Sequence, residues 1–140
     1  MSSYDEKYLL KSIDEAGMKN VKIIKSDDIK QTMIDKFVDF SRNCHDSRYF
    51  LNFVDKGLGD ILFGNSYCLD ILRNNPQTGH FYLFAEDSKS CLILNNWNEV
   101  IQILDNLPYM NVYIMEKSMS YVISVTEEDN MIYEGIEFNL

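Results

Sequence analysis

The chain has 140 residues, 46% hydrophobic and 25% charged, with a formal net charge of −9; this length suits one domain and can bury about 70% of the unfolded surface without a disulfide or metal staple. Nine tyrosines, eight phenylalanines and one tryptophan point to a packed core and exclude a disordered chain, and no run approaches the roughly 18 apolar residues of a membrane span. The first 75 residues are nearly balanced, but beyond them only Lys89 and Lys117 oppose ten acids, which argues against nucleic acid or anionic lipid as a partner and permits a basic protein.

The opening residues MSSYDEKYLL hold early acids and no apolar signal core, so a cytoplasmic protein is expected. Cys44, Cys68 and Cys91 are widely spaced and odd in number, which fits free thiols and offers neither a disulfide framework nor a C-x-x-C metal pattern. Ser3 and Glu6 form a capping box, with Ser3 receiving the Glu6 amide and Glu6 reaching back to the Ser3 amide. A helix over about 4–16 follows, carrying Leu9, Leu10, Ile13 and Ala16, with Gly17 suited to end it. Val21 to Lys25 is a short β-like run. Ser26 before Asp27 and Asp28 marks a second helix start. Ile29, Met33, Phe37 and Phe40 then repeat at helical spacing, predicting a helix over about 27–41 whose stripe is core.

Residues 42–64 are the least legible. The run Tyr49, Phe50, Leu51, Phe53 and Val54 fits either a short helix near 47–54 or an irregular packed segment. Asn65 or Ser66 can cap a helix holding Tyr67, Cys68, Leu69, Ile71 and Leu72, which the Asn74–Gly79 stretch with its proline ends. The chain then turns to β. His80–Ala85 and Cys91–Leu94 read as strands. Asn95 or Asn96 caps a helix with Glu99 as the capping-box partner, and Trp97, Val100, Ile101 and Leu104 give it one apolar face for the sheet.

Residues 110–136 are the centre of the reading. Val112–Met115 is apolar throughout, Tyr121, Ile123 and Val125 alternate with Val122, Ser124 and Thr126, and Met131–Ile136 is a third strand. Residues 116–119 and 127–130 are polar connections of hairpin length. The expected fold is therefore one α+β domain over 1–140. N-terminal helices precede a mainly antiparallel sheet of ββαβββ order, with one helix packed on it.

No catalytic motif appears. Adjacent side chains point apart, so Cys44-His45 is not a dyad by adjacency, and although His80 could reach Cys44, Cys68 or Cys91 in three dimensions, nothing in the sequence says so. Glu127-Glu128-Asp129 offers hard oxygens to Ca²⁺ or Mg²⁺ but lacks an EF-hand spacing. Gly57, Gly59 and Gly64 lack the spacing and the Lys-Ser/Thr of a phosphate loop. The reading implies no cofactor, no metal and no enzyme activity.

Val112-Tyr113-Ile114-Met115-Glu116, Ser120-Tyr121-Val122-Ile123 and the acidic turn Glu127-Glu128-Asp129 resemble a pattern of small acidic bacterial immunity proteins. These are cytosolic antidotes of contact-dependent and polymorphic toxins. Tyr121 stands where related sequences often carry Trp, and the turn lacks their histidine. The resemblance implies a non-enzymatic inhibitor that occludes the basic active-site surface of a cognate protein toxin. Its candidate contacts are Glu127, Glu128 and Asp129, supported by Glu116, Glu86 and Asp87. Tyr133 and Tyr121 are candidate aromatic anchors or, equally, sheet core. The competing readings are a small cytosolic enzyme with an unrecognised site and an acidic regulatory module.

Overall fold

The computed structural model describes residues 3–38 and 68–139, and the backbone of 60–62. Elements expected around 47–54, the caps Asn65 and Ser66, and Phe40, Cys44, His45, Tyr67 and the glycines 57, 59 and 64 lie outside the described residues. In chain order the elements are α1 (Tyr4–Glu15), β1 (Lys22–Lys25), α2 (Asp27–Phe37), β2 (Asp60–Leu62), α3 (Cys68–Arg73), β3 (Phe81–Ala85) and β4 (Ser90–Leu94). They continue with α4 (Trp97–Asp105), β5 (Val112–Glu116), β6 (Val122–Val125) and β7 (Met131–Glu134).

The fold is α+β. The ββαβββ segment forms the body of one antiparallel sheet, and two strands from the N-terminal half extend it at either edge. The order is β1-β4-β3-β5-β6-β7-β2. β3 and β4 form a hairpin with Leu83 opposite Leu92. The chain crosses back through α4, so β5 lies on the far side of β3, with Leu83 opposite Ile114. β5, β6 and β7 then meander, Ile114 facing Ile123 and Ile123 facing Tyr133.

Both faces of the sheet are covered, because both parities of the central strands are apolar. On one face Leu9 of α1, Leu72 of α3 and Trp97, Val100 and Ile103 of α4 pack on Phe81, Leu83, Leu92, Ile114 and Ile123. On the other, Ile29, Met33 and Phe37 of α2 pack on Phe84, Cys91, Tyr113, Met115 and Val122. Trp97 fixes α4. Its ring meets Phe81 edge-on at 5.2 Å, and its indole N–H donates to the Leu72 carbonyl at 2.8 Å.

The helix boundaries follow their caps, with informative departures. Ser3 accepts the Glu6 amide at 3.1 Å as expected. The Glu6 carboxylate does not return to Ser3; it accepts from the Ser90 amide at 3.0 Å and the Ser90 hydroxyl at 2.9 Å. Two donors at the start of β4 outcompete one helix-end amide, and Glu6 is only 7% exposed. α1 ends in a Schellman arrangement, with Gly17 at φ 67°, its amide on the Asp14 carbonyl and the Met18 amide on the Ile13 carbonyl. Ser26 starts α2 but makes no side-chain cap; its hydroxyl donates to the Ser88 carbonyl at 2.8 Å. α2 stops at Phe37, short of the expected 41, because Val38 is already extended (φ −100°, ψ 129°), the conformation a β-branched residue favours. β7 ends at Glu134, short of Ile136, because Gly135 takes φ 79°. A Cβ there would approach the Ser120 carbonyl oxygen to 2.5 Å, so the position needs glycine.

Candidate functional site

The strand registers sort the turns between two ends of the sheet. Ala85 pairs with Val112, Val112 with Val125, and Val125 with Met131. The 86–89 turn and the 126–130 turn therefore share one end. Phe81 pairs with Glu116, which puts Glu116 and the 117–120 turn at the opposite end.

The 86–89 turn is held from both faces. The Ser3 hydroxyl donates to the Asp87 carbonyl at 3.0 Å, and the Asp87 amide donates to Asp5 at 2.9 Å. From the other face Lys30 Nζ donates to the carbonyls of Glu86, at 3.1 Å, and of Ser88. The Tyr113 hydroxyl donates to the Glu86 carboxylate. Partial burial raises the Asp5 carboxyl above its ordinary range; the Asp87 amide opposes that, and the charges of Asp87 and Glu127 add to it. Partial burial lowers the Lys30 ammonium, against the pull of Glu86, Asp87, Asp27 and Asp5. Lys30 is thus engaged beneath the turn, and the exposed charges of the two turns are the carboxylates of Asp87, Glu127 and Glu128 against the single ammonium of Lys89.

The 126–130 turn is a tight hairpin. Asp129 donates its amide to the Thr126 carbonyl at 3.0 Å and takes φ 57°, and Thr126 donates to the Asn130 carbonyl at 2.8 Å. Glu127 and Glu128 are exposed. The Glu127 amide donates to the Asn111 side chain at 2.9 Å, which ties this turn to the start of β5. Asp129 is not a free tip charge. Its carboxylate accepts the Cys68 amide at 3.3 Å and its carbonyl faces the Cys68 thiol at 3.2 Å, so it fastens the start of α3.

The structure therefore brings Glu86, Asp87, Glu127, Glu128 and Asp129 together and adds Asp5, which the sequence reading missed. Glu116 is separated from them by the length of the sheet. Its carboxylate is held below its ordinary range first by the Ser118 hydroxyl, and the Ser118 amide donates to it at 2.7 Å. Tyr121 and Tyr133 are core: they are 8% and 6% exposed within the cluster under α1, α3 and α4. Of the two roles open to them in sequence, the structure shows packing. Among the described residues the most exposed aromatics are elsewhere. Tyr109, 64% exposed, follows α4, and Tyr4, 59% exposed, stands on α1 with its ring 4.5 Å from Tyr8. Tyr109 follows Leu107-Pro108, and an aromatic just after a helix-ending proline was the available signal.

Beside this end, between α3 and the segment after α4, lies a groove of about 540 Å³. Its apolar wall includes Leu69, Leu72, Leu104, Leu107, Met110, Val112 and Val125; Asp70, Arg73, Asp105, Tyr109, Thr126 and Asp129 supply the polar part. Arg73 lies 3.6 Å from both Asp70 and Asp105.

Among the described residues no group of three His, Cys, Asp or Glu side chains could hold a metal ion. No helix among them is long and apolar enough to cross a membrane. Burial raises the thiols of Cys68 and Cys91 to about 12, so neither is a nucleophilic thiolate at neutral pH. His80, whose carbonyl accepts from Lys117 at the Glu116 end, is remote from Cys68 at the Asp129 end. What the acidic end can do chemically is present carboxylates, backed by a rigid sheet, to a cationic surface. Comparison with protein-family models, curated proteins and solved structures finds no match.

Proposed function

We propose that this chain is a non-enzymatic inhibitor of the immunity type, binding a toxin enzyme and covering its basic active-site surface. The observation that carries the reading is the convergence of Asp5, Glu86, Asp87, Glu127 and Glu128 at one end of the sheet, from three separate parts of the sequence. Such a field speeds encounter with a basic protein and disfavours acidic ones. The 86–89 turn is fastened to the start of α1 and the 126–130 turn to Asn111 by side-chain hydrogen bonds, so their carboxylates enter a complex with little ordering left to complete. The resemblance over residues 112–129 points to the same class.

The test is co-expression with the product of the adjacent upstream gene. Rescue of growth together with co-purification is the expected result. A toxic neighbour that this chain neither binds nor neutralises would refute the immunity reading, and an acidic regulatory module would then be the better account.

A further inference from the structure

The groove beside the acidic end has no part in holding the charges together, yet it shares Thr126 and Asp129 with the acidic turn. A cavity of about 150 Å³ holds a benzene-sized group, so about 540 Å³ has room for more than one side chain. The wall around Leu69, Leu104, Leu107 and Val125 is apolar. The rim is acidic, because Asp70, Asp105 and Asp129 face one cation, Arg73. The Arg73 contacts are half-exposed pairs at 3.6 Å, and such pairs hold weakly enough for an incoming cation to compete. An anionic ligand meets three carboxylates here. An apolar group bearing a positive neighbour meets complementary surface on both counts. Tyr109, 64% exposed, is among the residues that line the groove.

We infer that the groove receives a bulky apolar side chain flanked by Lys or Arg, presented by a segment of the same basic partner protein that the acidic end recognises. The inference rests on the proposed function for the partner's charge. It adds a specificity pocket, since charge alone steers encounter while desolvated apolar anchors hold the complex. It also locates the aromatic anchor at Tyr109, in place of Tyr121 and Tyr133.

The test is an NMR titration of the full ¹⁵N-labelled chain with two end-capped peptides, Lys-Lys-Leu-Phe-Lys-Lys and Lys-Lys-Gly-Gly-Lys-Lys. The first is expected to shift amides over 69–73 and 104–110 as well as those at 86–87 and 127–128. The second is expected to shift only the latter set. Tyr109→Ala is expected to weaken the first peptide about tenfold and to leave the second unchanged. Asp105→Lys, at an exposed rim position, provides a variant that leaves the apolar wall intact, and is expected to weaken the first peptide as well. If both peptides shift only the acidic end, or neither shifts anything, the groove proposal is overturned. The first of those outcomes leaves the charge-based reading standing. If only the apolar peptide binds, and only in the groove, the groove proposal holds and the acidic-end reading fails.

Discussion

Replacing Trp97 by Ala probes how α4 is fastened to the sheet. The indole is buried, meets Phe81 edge-on at 5.2 Å and donates to the Leu72 carbonyl at 2.8 Å. Truncating a buried Trp costs about 3–5 kcal/mol through lost contacts and the cavity left behind. The orphaned carbonyl adds about 1–3 kcal/mol if nothing else reaches it. A cavity of this size admits a water molecule to that carbonyl, so the terms overlap and about 4 kcal/mol is expected in total. Trp97→Phe keeps an aromatic against Phe81 and removes the donor, and is expected to cost about half as much. The assay is urea unfolding followed by far-UV circular dichroism, since Trp97 is the sole tryptophan and its fluorescence is lost with it. A loss below about 1 kcal/mol for the alanine variant would refute the packing described for α4.

Other variants report on separate features. Glu6→Ala removes the acceptor of two Ser90 bonds at a buried site and is expected to cost about 2–4 kcal/mol; an unchanged urea midpoint would show the contact to be idle. Tyr121→Phe removes a buried hydroxyl that has no hydrogen-bond partner among the described residues. It is expected to leave stability equal or up to about 1 kcal/mol higher, and a clear loss in thermal unfolding would mean that the hydroxyl is satisfied. The thiols of Cys68 and Cys91 ionise in the fold only near 12, above their ordinary 9.0. The unfolded chain therefore gives up these protons first as pH rises, and stability falls between those two values. At neutral pH, iodoacetamide followed by peptide mapping is expected to leave both cysteines unlabelled in the native protein, and rapid labelling of either would contradict their burial. Asp129→Lys is expected to destabilise by about 1–3 kcal/mol by releasing the Cys68 amide, whereas Glu128→Lys is expected to stay within about 0.5 kcal/mol.

Much of the sheet was legible because its signals are local. The alternation of Tyr121–Thr126 and the apolar run Val112–Met115 place β6 and β5 within a residue of their observed limits. Asn96 and Glu99 mark the start of α4: the Asn96 side chain accepts the Glu99 amide at 2.9 Å, and the Glu99 carboxylate takes the Asn95 amide at 2.7 Å. What the sequence concealed depends on partners far along the chain. Glu6 and Ser26 each carry a sound capping signature, yet both side chains serve the 86–90 hairpin, 62 or more residues away. Asp129 reads as one of three equivalent tip acids until α3 is brought beside it. Tyr121 and Tyr133 could not be assigned to core or surface without knowing that the α1, α3 and α4 layer covers their face. The separation of Glu116 from Glu127 follows from two successive hairpin connections on either side of β6, but which end receives the 86–89 turn depends on the β3–β5 register, which pattern does not encode across the α4 crossover.

The central claim is that the acidic end of the sheet drives association, and association kinetics test it directly. Stopped-flow mixing with the proposed partner would compare the natural chain with an Asp87→Lys, Glu127→Lys, Glu128→Lys triple variant, at positions whose backbone groups make hydrogen bonds within the two turns or to their neighbours. At low salt the variant is expected to associate about 10–100-fold more slowly with an unchanged fold. The natural chain's rate is expected to fall as ionic strength rises and the Debye length contracts from about 30 Å at 0.01 M to about 8 Å at 0.15 M. A folded triple variant that associates at the natural rate, with the same salt dependence, would contradict the account.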